Sequence, residues 1–111
     1  MELMAKTVTY VPHETREFLT SHAASRGMAL NRLYEEILRS FMGERPYAGS
    51  GDFAKTKSWR ARQGKEQWRQ VGIYIDRGLF EKAKAEAGRV KASNMSYICH
   101  AFVWFSQRQG A

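Results

Sequence analysis

The sequence predicts a mainly α-helical protein that contains a two-stranded antiparallel β-ribbon. One observation is the alternation in residues 70–76, QVGIYID, where branched aliphatic residues occupy every second position, as in a half-buried strand. A second is the similar segment at residues 6–12, KTVTYVP. A third is that two helical stretches follow each segment. We therefore expect one strand–helix–helix unit that occurs twice in the chain.

Length and charge limit the fold and the partners. The 111 residues are expected to form one domain, because either unit alone is too small to hold a core. Eighteen Lys and Arg residues against eleven Asp and Glu residues give a net charge of +7, which favours a polyanionic partner, nucleic acid before a membrane surface. With no membrane-spanning run, no apolar leader and one cysteine, Cys99, we expect a cytoplasmic protein without a disulfide.

The first unit is predicted to span residues 6–42. Its strand ends at Pro12, which suits the first position of a helix because no N–H is needed there. Gly27 is expected to end this helix, since glycine adopts a positive φ without strain. A second helix is predicted from Ala29, and its apolar residues recur at steps of three and four: Leu30, Leu33, Tyr34, Ile37, Leu38, Phe41 and Met42.

Residues 43–69 are predicted to be a basic linker. Its first half carries residues that break helices, such as Pro46 and Gly49, and its second half carries cations among aromatic residues. Four of the cations are candidate phosphate contacts: Lys55, Lys57, Arg60 and Arg62. A solvated connection is the alternative for this segment, and Trp68 is its expected core residue.

The second unit is predicted to span residues 70–107. Asp76 is a candidate N-cap for its first helix, and Ser93 and Asn94 are candidate caps for its second. The shared apolar face of the first helix contains Phe80, Ala83, Ala87 and Val90. The apolar stripe of the second contains Met95, Ile98, Ala101, Phe102 and Phe105.

This organisation resembles the ribbon-helix-helix family of DNA-binding proteins, the Arc and MetJ type. In both units 16 residues separate the last inward strand residue from the turn between the helices, Val11 from Gly27 and Ile75 from Lys91. In that family two units interlock, and their strands pair into a ribbon that enters the major groove. Because one chain holds both units here, the resemblance implies a tandem ribbon-helix-helix protein that forms an intramolecular pseudo-dimer, similar to TraY-type accessory proteins of conjugative plasmids.

The resemblance implies that the outward face of the ribbon reads DNA bases. If Val8 lies opposite Gly72, the outward residues are Lys6, Val8, Tyr10, Gln70, Gly72 and Tyr74. Gln70 can pair with adenine, Lys6 can donate to guanine, and the apolar side chains can contact thymine methyl groups. Gly72 would permit close approach of the DNA.

A shift by one residue in the first strand is the alternative register. It would turn Val8 and Tyr10 inward and leave Thr7 and Thr9 outside. We favour the first register because Tyr74, at the matching position of the second strand, must face outward if its aliphatic neighbours are buried.

The family also binds phosphates at the N-terminus of the second helix of each unit, where free N–H groups and the helix dipole favour an anion. The residues at or beside the matching positions are Asn31, Arg32, Lys91, Ser93 and Asn94. Helix capping is the alternative role of Asn31, Ser93 and Asn94, and solvation is the alternative for the two cations.

Other chemistry has little support in the sequence. Residues 49–56, GSGDFAKT, are one residue away from a P-loop, but no strand precedes them and Ala54 replaces a required glycine. His22 lies on an apolar helix face and is expected to pack there. Cys99 and His100 are adjacent, so they point to different faces of a helix and favour neither a zinc site nor a Cys–His nucleophile. We expect no catalysis, cofactor or metal.

The predicted function is therefore non-catalytic binding of double-stranded DNA. The TraY-like resemblance implies an accessory role at a plasmid transfer origin, in a relaxosome with a relaxase or other DNA-processing proteins as partners. One alternative is a ribbon-helix-helix transcriptional repressor. Another is a protein-interaction module of the antitoxin or scaffold type. The protein is expected to fold as a monomer, and multimerisation on DNA stays open.

Overall fold

The computed structural model describes residues 4–47 and 68–109. In these residues the chain forms two strands and four helices in this order: β1 (Met4–Pro12), α1 (His13–Ser25), α2 (Leu30–Glu44), β2 (Trp68–Asp76), α3 (Arg77–Arg89) and α4 (Asn94–Arg108). The predicted mainly helical fold with a two-stranded antiparallel sheet is confirmed.

The two halves of the chain have matching elements. Each half contains a strand of 9 residues, a helix of 13 and a helix of 15. Every element of the second half begins 64 residues after its counterpart in the first: Trp68 after Met4, Arg77 after His13, and Asn94 after Leu30. A residue in the first half therefore has its counterpart 64 positions later.

The two strands pair in an antiparallel ribbon along their whole length. The register places Val8 opposite Gly72, and the 64-residue offset makes these two residues counterparts as well. The neighbouring outward pairs are Lys6 with Tyr74 and Tyr10 with Gln70, in agreement with the favoured register. If each strand took the place of the other, the same positions would be paired, and Val8 and Gly72 would stay at the centre of the ribbon.

The core lies on the inward face of the ribbon, against one side of each helix. The inward aliphatic residues of the strands are at most 4% exposed: Val11, Val71, Ile73 and Ile75. Trp68 is buried as expected. On the helices, Leu33, Ile37 and Leu38 of α2 are fully buried. Each such side chain contributes about 1.5–3 kcal/mol by leaving water, so the ribbon and the helices stabilise one another.

Helix α4 is buried on most of its surface. The predicted stripe is buried except for Met95, which is half-buried. Tyr97, Cys99 and Val103 are buried in addition, because other elements cover more than one face of this helix. Phe102 of α4 stacks on Tyr34 of α2, with 4.8 Å between the ring centroids. A single stripe in the sequence does not indicate burial of this extent.

The turns between the two helices of each half have the same backbone geometry. Gly27 has a φ of 63° and its counterpart Lys91 a φ of 60°. The residue after each of them donates its N–H to the carbonyl five positions earlier. Met28 donates to Ala23 at 3.0 Å, and Ala92 makes the equivalent bond at 2.9 Å. This is the Schellman helix ending. Gly27 predicts the first turn; the second has the same geometry without glycine.

Two of the predicted N-caps are confirmed. Oδ2 of Asp76 accepts a hydrogen bond from the N–H of Leu79 at 3.0 Å, and Oγ of Ser93 accepts one from the N–H of Ser96 at 3.1 Å. Asn94 is the first residue of α4, so the prediction that it caps this helix is wrong. Ser93, one residue earlier, already accepts the bond that a cap would make.

Several predicted boundaries need correction. α2 continues through Gly43 to Glu44, and β2 begins at Trp68 instead of Gln70. Gly43 costs the helix about 1 kcal/mol relative to alanine, which does not end it. β1 begins at Met4 and α4 ends at Arg108. The part of the linker with the candidate phosphate contacts Lys55, Lys57, Arg60 and Arg62, and with the P-loop-like segment, lies outside the described residues.

No helix in residues 4–47 and 68–109 combines the length and the apolar character that crossing a membrane requires.

Candidate nucleic-acid interface

The outward face of the ribbon brings together all six residues that are predicted to read bases. They form three successive pairs across the strands: Lys6 with Tyr74, Val8 with Gly72, and Tyr10 with Gln70. Lys6, Gln70 and Gly72 are exposed, Val8 and Tyr10 are half-buried, and Tyr74 is 44% exposed. Tyr74 is one of the two large hydrophobic residues in the described part of the chain that remain exposed.

Burial of the opposite face fixes this orientation. Thr9 is fully buried, and its hydroxyl donates a hydrogen bond of 2.7 Å to the carbonyl of Met95 in α4. Its pairing partner Val71 is also buried. The alternative register, which places Thr9 outside, is therefore wrong. Thr9 tolerates burial because its hydroxyl has a partner.

Gly72 is not required by the fold. A Cβ atom added to it would meet no atom of residues 4–47 and 68–109 within 4 Å, and its φ is not in the positive range that favours glycine. In a strand, glycine is less favourable than alanine by roughly 0.5–1 kcal/mol. At the centre of the outward face, Gly72 therefore lowers the stability of the strand slightly and leaves space beside Val8.

The N-terminal turns of α2 and α4 flank the ribbon. On one side, Oδ1 of Asn31 accepts a hydrogen bond from the N–H of Tyr74 at 3.0 Å, and Oε2 of Glu35 accepts one from the N–H of Asp76 at 2.7 Å. On the other side, the Thr9 hydroxyl bonds to α4. These contacts satisfy polar groups at the edges of the ribbon. They also hold the N-terminal part of α2 against β2 and that of α4 against β1.

Asn31 and Glu35 show what the sequence did and did not reveal. Asn31 was identified as a candidate phosphate contact or cap, whereas its side-chain oxygen bonds to β2. Asn31 is the second residue of α2, and this helix has no side-chain cap at Ala29. The contact of Glu35 had no signal in the sequence, because a Glu on a helix gives no indication of a bond to a strand 41 residues away.

Three of the candidate cations have no acidic partner among the described residues. In residues 4–47 and 68–109, Lys6, Arg32 and Lys91 are exposed and make no ion pair. Other arginines in this part of the chain are paired with glutamates: Arg26 with Glu36 at 3.1 Å, Arg39 with Glu35 at 3.8 Å, and Arg89 with Glu86 at 2.6 Å.

Lys91 and Ser93 both belong to the turn that leads into α4. Lys91 has a positive φ that glycine adopts without strain and lysine does not. Ser93 uses its hydroxyl as the cap of α4, so its predicted capping role is present. Asn94 follows within the helix and is half-buried. The three candidates of this turn therefore lie at one helix N-terminus.

A polar cluster that the sequence did not indicate follows the C-terminal end of α2. The Tyr47 hydroxyl donates a hydrogen bond of 2.5 Å to Oε2 of Glu86. Because Tyr47 uses its hydrogen there, Tyr97 donates to the Tyr47 oxygen, at 2.9 Å. Arg45 and Arg89 lie 3.6 Å and 2.6 Å from the Glu86 carboxylate.

These contacts change the acidity of the groups in the cluster. The hydrogen bond from Tyr47 holds the pKa of the Glu86 carboxyl below its ordinary value of 4.5, and the two arginines act in the same direction, against the effect of burial. Burial raises the pKa of the Tyr97 hydroxyl well above its ordinary value, and its hydrogen bond to Tyr47 raises it further. Glu86 is thus stabilised as an anion and both tyrosines as neutral hydroxyls.

The residues considered for other chemistry have packing roles. The His22 ring lies 5.5 Å from the Phe18 ring and 5.3 Å from the Phe105 ring, in agreement with its predicted packing role. Cys99 is buried. Among the residues that the structure describes, no three His, Cys, Asp or Glu side chains come close enough together to hold a metal ion.

Comparison of the chain with protein-family models, with curated proteins and with solved structures finds no match.

Proposed function

We propose that this protein binds double-stranded DNA by inserting its two-stranded ribbon into the major groove, as a tandem ribbon-helix-helix pseudo-dimer without catalytic activity. The observation that carries the proposal is the outward face of the ribbon, where six residues of two separate segments form three adjacent pairs. The major groove is about 12 Å wide and admits a two-stranded ribbon.

The charges around this face support a polyanionic ligand. None of the six outward residues is acidic, and Lys6 is exposed without an ion pair among the described residues. Arg32 and Lys91 lie at or beside the flanking helix N-termini, where backbone N–H groups and the helix dipole also favour phosphate. Phosphate contacts from these groups would fix the ribbon in the groove, and contacts from the outward face would read the bases.

The repeated architecture supports the pseudo-dimer. Both halves have the same element lengths, the same offset and the same turn geometry at Gly27 and Lys91. A lone strand would leave its backbone groups unpaired, and each half supplies the other with a partner strand. One chain thus performs the role that two chains perform in most members of the family it resembles.

We propose a role at a plasmid transfer origin, with a relaxase or another DNA-processing protein as partner. A repressor would bind DNA in the same way, and the genomic position of the preferred site distinguishes the two roles. An antitoxin or scaffold would use other surfaces, and the ribbon would then show no preference among duplex sequences. The four linker cations from Lys55 to Arg62 stay predicted phosphate contacts.

Selection from random duplex DNA at physiological salt tests the proposal. We expect enrichment of a short motif by the unchanged protein. The matched variants are Gly72→Glu and Gly72→Gln, which have similar size and differ in charge, at a position where a Cβ has no close neighbour among the described residues. Like-charge repulsion from DNA costs several kcal/mol, so Gly72→Glu should bind the motif at least tenfold more weakly than Gly72→Gln.

Circular dichroism of both variants serves as the folding control. Equal affinities of Gly72→Glu and Gly72→Gln would contradict insertion of the ribbon into DNA. Absence of any enriched motif with the unchanged protein would contradict base reading by this face.

A further inference from the structure

We infer that the protein binds a non-palindromic duplex in one orientation, and that Lys6 and Gln70 set this orientation. The inference deepens the proposed function and rests on it, because it requires DNA on the outward face of the ribbon. It concerns the class of site that this face selects and the two residues that make its ends different.

The symmetry of the ribbon identifies which residues are counterparts. The 64-residue offset relates Tyr10 to Tyr74, so the same side chain occurs at both matching positions. It relates Lys6 to Gln70, where the side chains differ. The pairing places Lys6 beside Tyr74 at one end of the outward face and Gln70 beside Tyr10 at the other. The two ends thus share a tyrosine and differ in the polar residue next to it.

The two polar side chains select different bases. The ammonium group of Lys6 is a donor only, and guanine offers two acceptors, O6 and N7, in the major groove. The amide of Gln70 has both a donor and an acceptor, and adenine offers an acceptor at N7 and a donor at N6. Equivalent ends of the ribbon therefore prefer guanine and adenine, respectively. A homodimer with identical strands could not make this distinction.

The register gives the spacing of the two bases. Gln70 lies opposite Tyr10, four residues along β1 from Lys6. At about 3.4 Å per residue this is roughly 14 Å, or about four base-pair steps of 3.4 Å. Because the two strands of the ribbon are related by exchange, their counterpart residues face opposite strands of the duplex. The preferred site should therefore have guanine at one end. It should have adenine on the other strand, about four base pairs away.

The fold leaves both residues free to vary. Lys6 and Gln70 are exposed, and neither side chain forms a hydrogen bond or an ion pair within residues 4–47 and 68–109. The inward residues that fix the register are on the opposite face. Exchange of one polar side chain for the other should therefore change the surface and leave the fold intact.

The test is selection from random duplex DNA with the unchanged protein and the variants Lys6→Gln and Gln70→Lys. Lys6→Gln gives both ends of the ribbon the same residues, Gln and Tyr, and should select adenine at both ends. Gln70→Lys should select guanine at both ends. A bidentate pair discriminates between bases by roughly 5- to 150-fold, so the affinity for the matched site should exceed that for the unmatched site by a factor in this range.

Lys84→Gln is the matched control, since Lys84 is an exposed lysine of α3. It should leave the motif of the unchanged protein as it is. A motif with equivalent ends for the unchanged protein would overturn the inference, as would a motif that neither Lys6→Gln nor Gln70→Lys alters. These outcomes leave DNA binding intact, whereas failure of the proposed function would appear as no enriched motif for any of the proteins.

Discussion

Lys91 occupies a backbone conformation that costs free energy for any residue other than glycine. Its φ is 60°, and its counterpart Gly27 has almost the same value. For residues with a Cβ the left-handed region costs roughly 1–2 kcal/mol. The Lys91 side chain is exposed and makes no ion pair among the described residues, and we propose that it binds a phosphate.

Lys91→Gly should therefore increase stability and weaken DNA binding. We expect the free energy of unfolding in urea to rise by about 1 kcal/mol, since the strain is relieved. The slope of log K against log salt concentration should decrease in magnitude by about 0.9, the contribution of one phosphate contact.

Gly27→Ala is the matched control for Lys91→Gly. It should lower the free energy of unfolding by about 1 kcal/mol and leave the salt slope unchanged. A salt slope that Lys91→Gly does not alter would remove Lys91 from the phosphate contacts.

Tyr74 is a large side chain that stays 44% exposed at one end of the outward face of the ribbon. Tyr74→Ala should weaken binding to the preferred site by about 1 kcal/mol or more, as loss of a base contact does, and affect random duplex less. Fluorescence anisotropy with both duplexes measures the difference. Tyr74→Phe keeps the ring and is the control. Equal losses on both duplexes would show that Tyr74 does not read sequence.

At the scale of elements, the N-terminal turn of α2 combines an internal contact with a predicted external one. The Asn31 side-chain oxygen bonds to β2, and the same residue lies in the first turn of the helix whose N-terminus is predicted to face a phosphate. Two substitutions of Asn31 separate these roles, because aspartate keeps the side-chain oxygen that accepts the bond from β2 and alanine removes it.

Asn31→Asp should keep stability and lose DNA affinity. The carboxylate retains the acceptor for the N–H of Tyr74 and lies favourably at a helix N-terminus, but it repels phosphate. Asn31→Ala should lower the free energy of unfolding by about 1 kcal/mol, the value of a typical hydrogen bond. Urea denaturation and DNA titration measure the two effects. Equal DNA affinity of Asn31→Asp and the unchanged protein would place the phosphate elsewhere.

The cluster around Glu86 ties the segment after α2 to α3 and α4. The pKa of Glu86 is lower in the folded protein than its ordinary value of 4.5. Its contribution to stability is therefore fully present above pH 4.5 and is lost as the pH falls through the lowered pKa.

Glu86→Gln should make stability less dependent on pH below about 4.5, the ordinary value. Urea denaturation between pH 3 and 7 is the measurement, about the range over which carboxylates titrate. Glu81→Gln, on the exposed side of α3, is the control. The same pH dependence in Glu86→Gln and in the control would contradict the lowered pKa.

Tyr47→Phe should lower the free energy of unfolding by about 1.5–3 kcal/mol near neutral pH, since it removes a hydrogen bond to a charged group.

Whether a feature could be predicted depends on whether its pattern is local in the sequence. The alternation in β2 and the period of α2 are local, and both elements and the ribbon register agree with the prediction, apart from the start of β2 and the end of α2. Tyr47 follows Pro46 in a stretch without a period, and its burial depends on Tyr97, which is 50 residues away. The positive φ of Lys91 could not be predicted, because no glycine marks this position in the sequence. Local patterns thus revealed the units, and contacts between distant segments remained hidden.

At the scale of the whole molecule, both strands of the sheet belong to one chain. We therefore expect folding to be unimolecular, with the linked halves meeting at an effective concentration in the millimolar range or above, roughly as for short linkers. We expect the urea midpoint to be independent of protein concentration over a range of about 100-fold, in contrast to an obligate dimer. A midpoint that rises steadily with concentration would show that folding requires a second copy.

The pairing of Val8 with Gly72 has a consequence for how this surface changes by mutation. In a protein whose ribbon is made by two copies of one gene product, each codon change appears twice on the binding face. Here a codon change appears once. Each end of the outward face can therefore change in a single mutational step while the other end is retained.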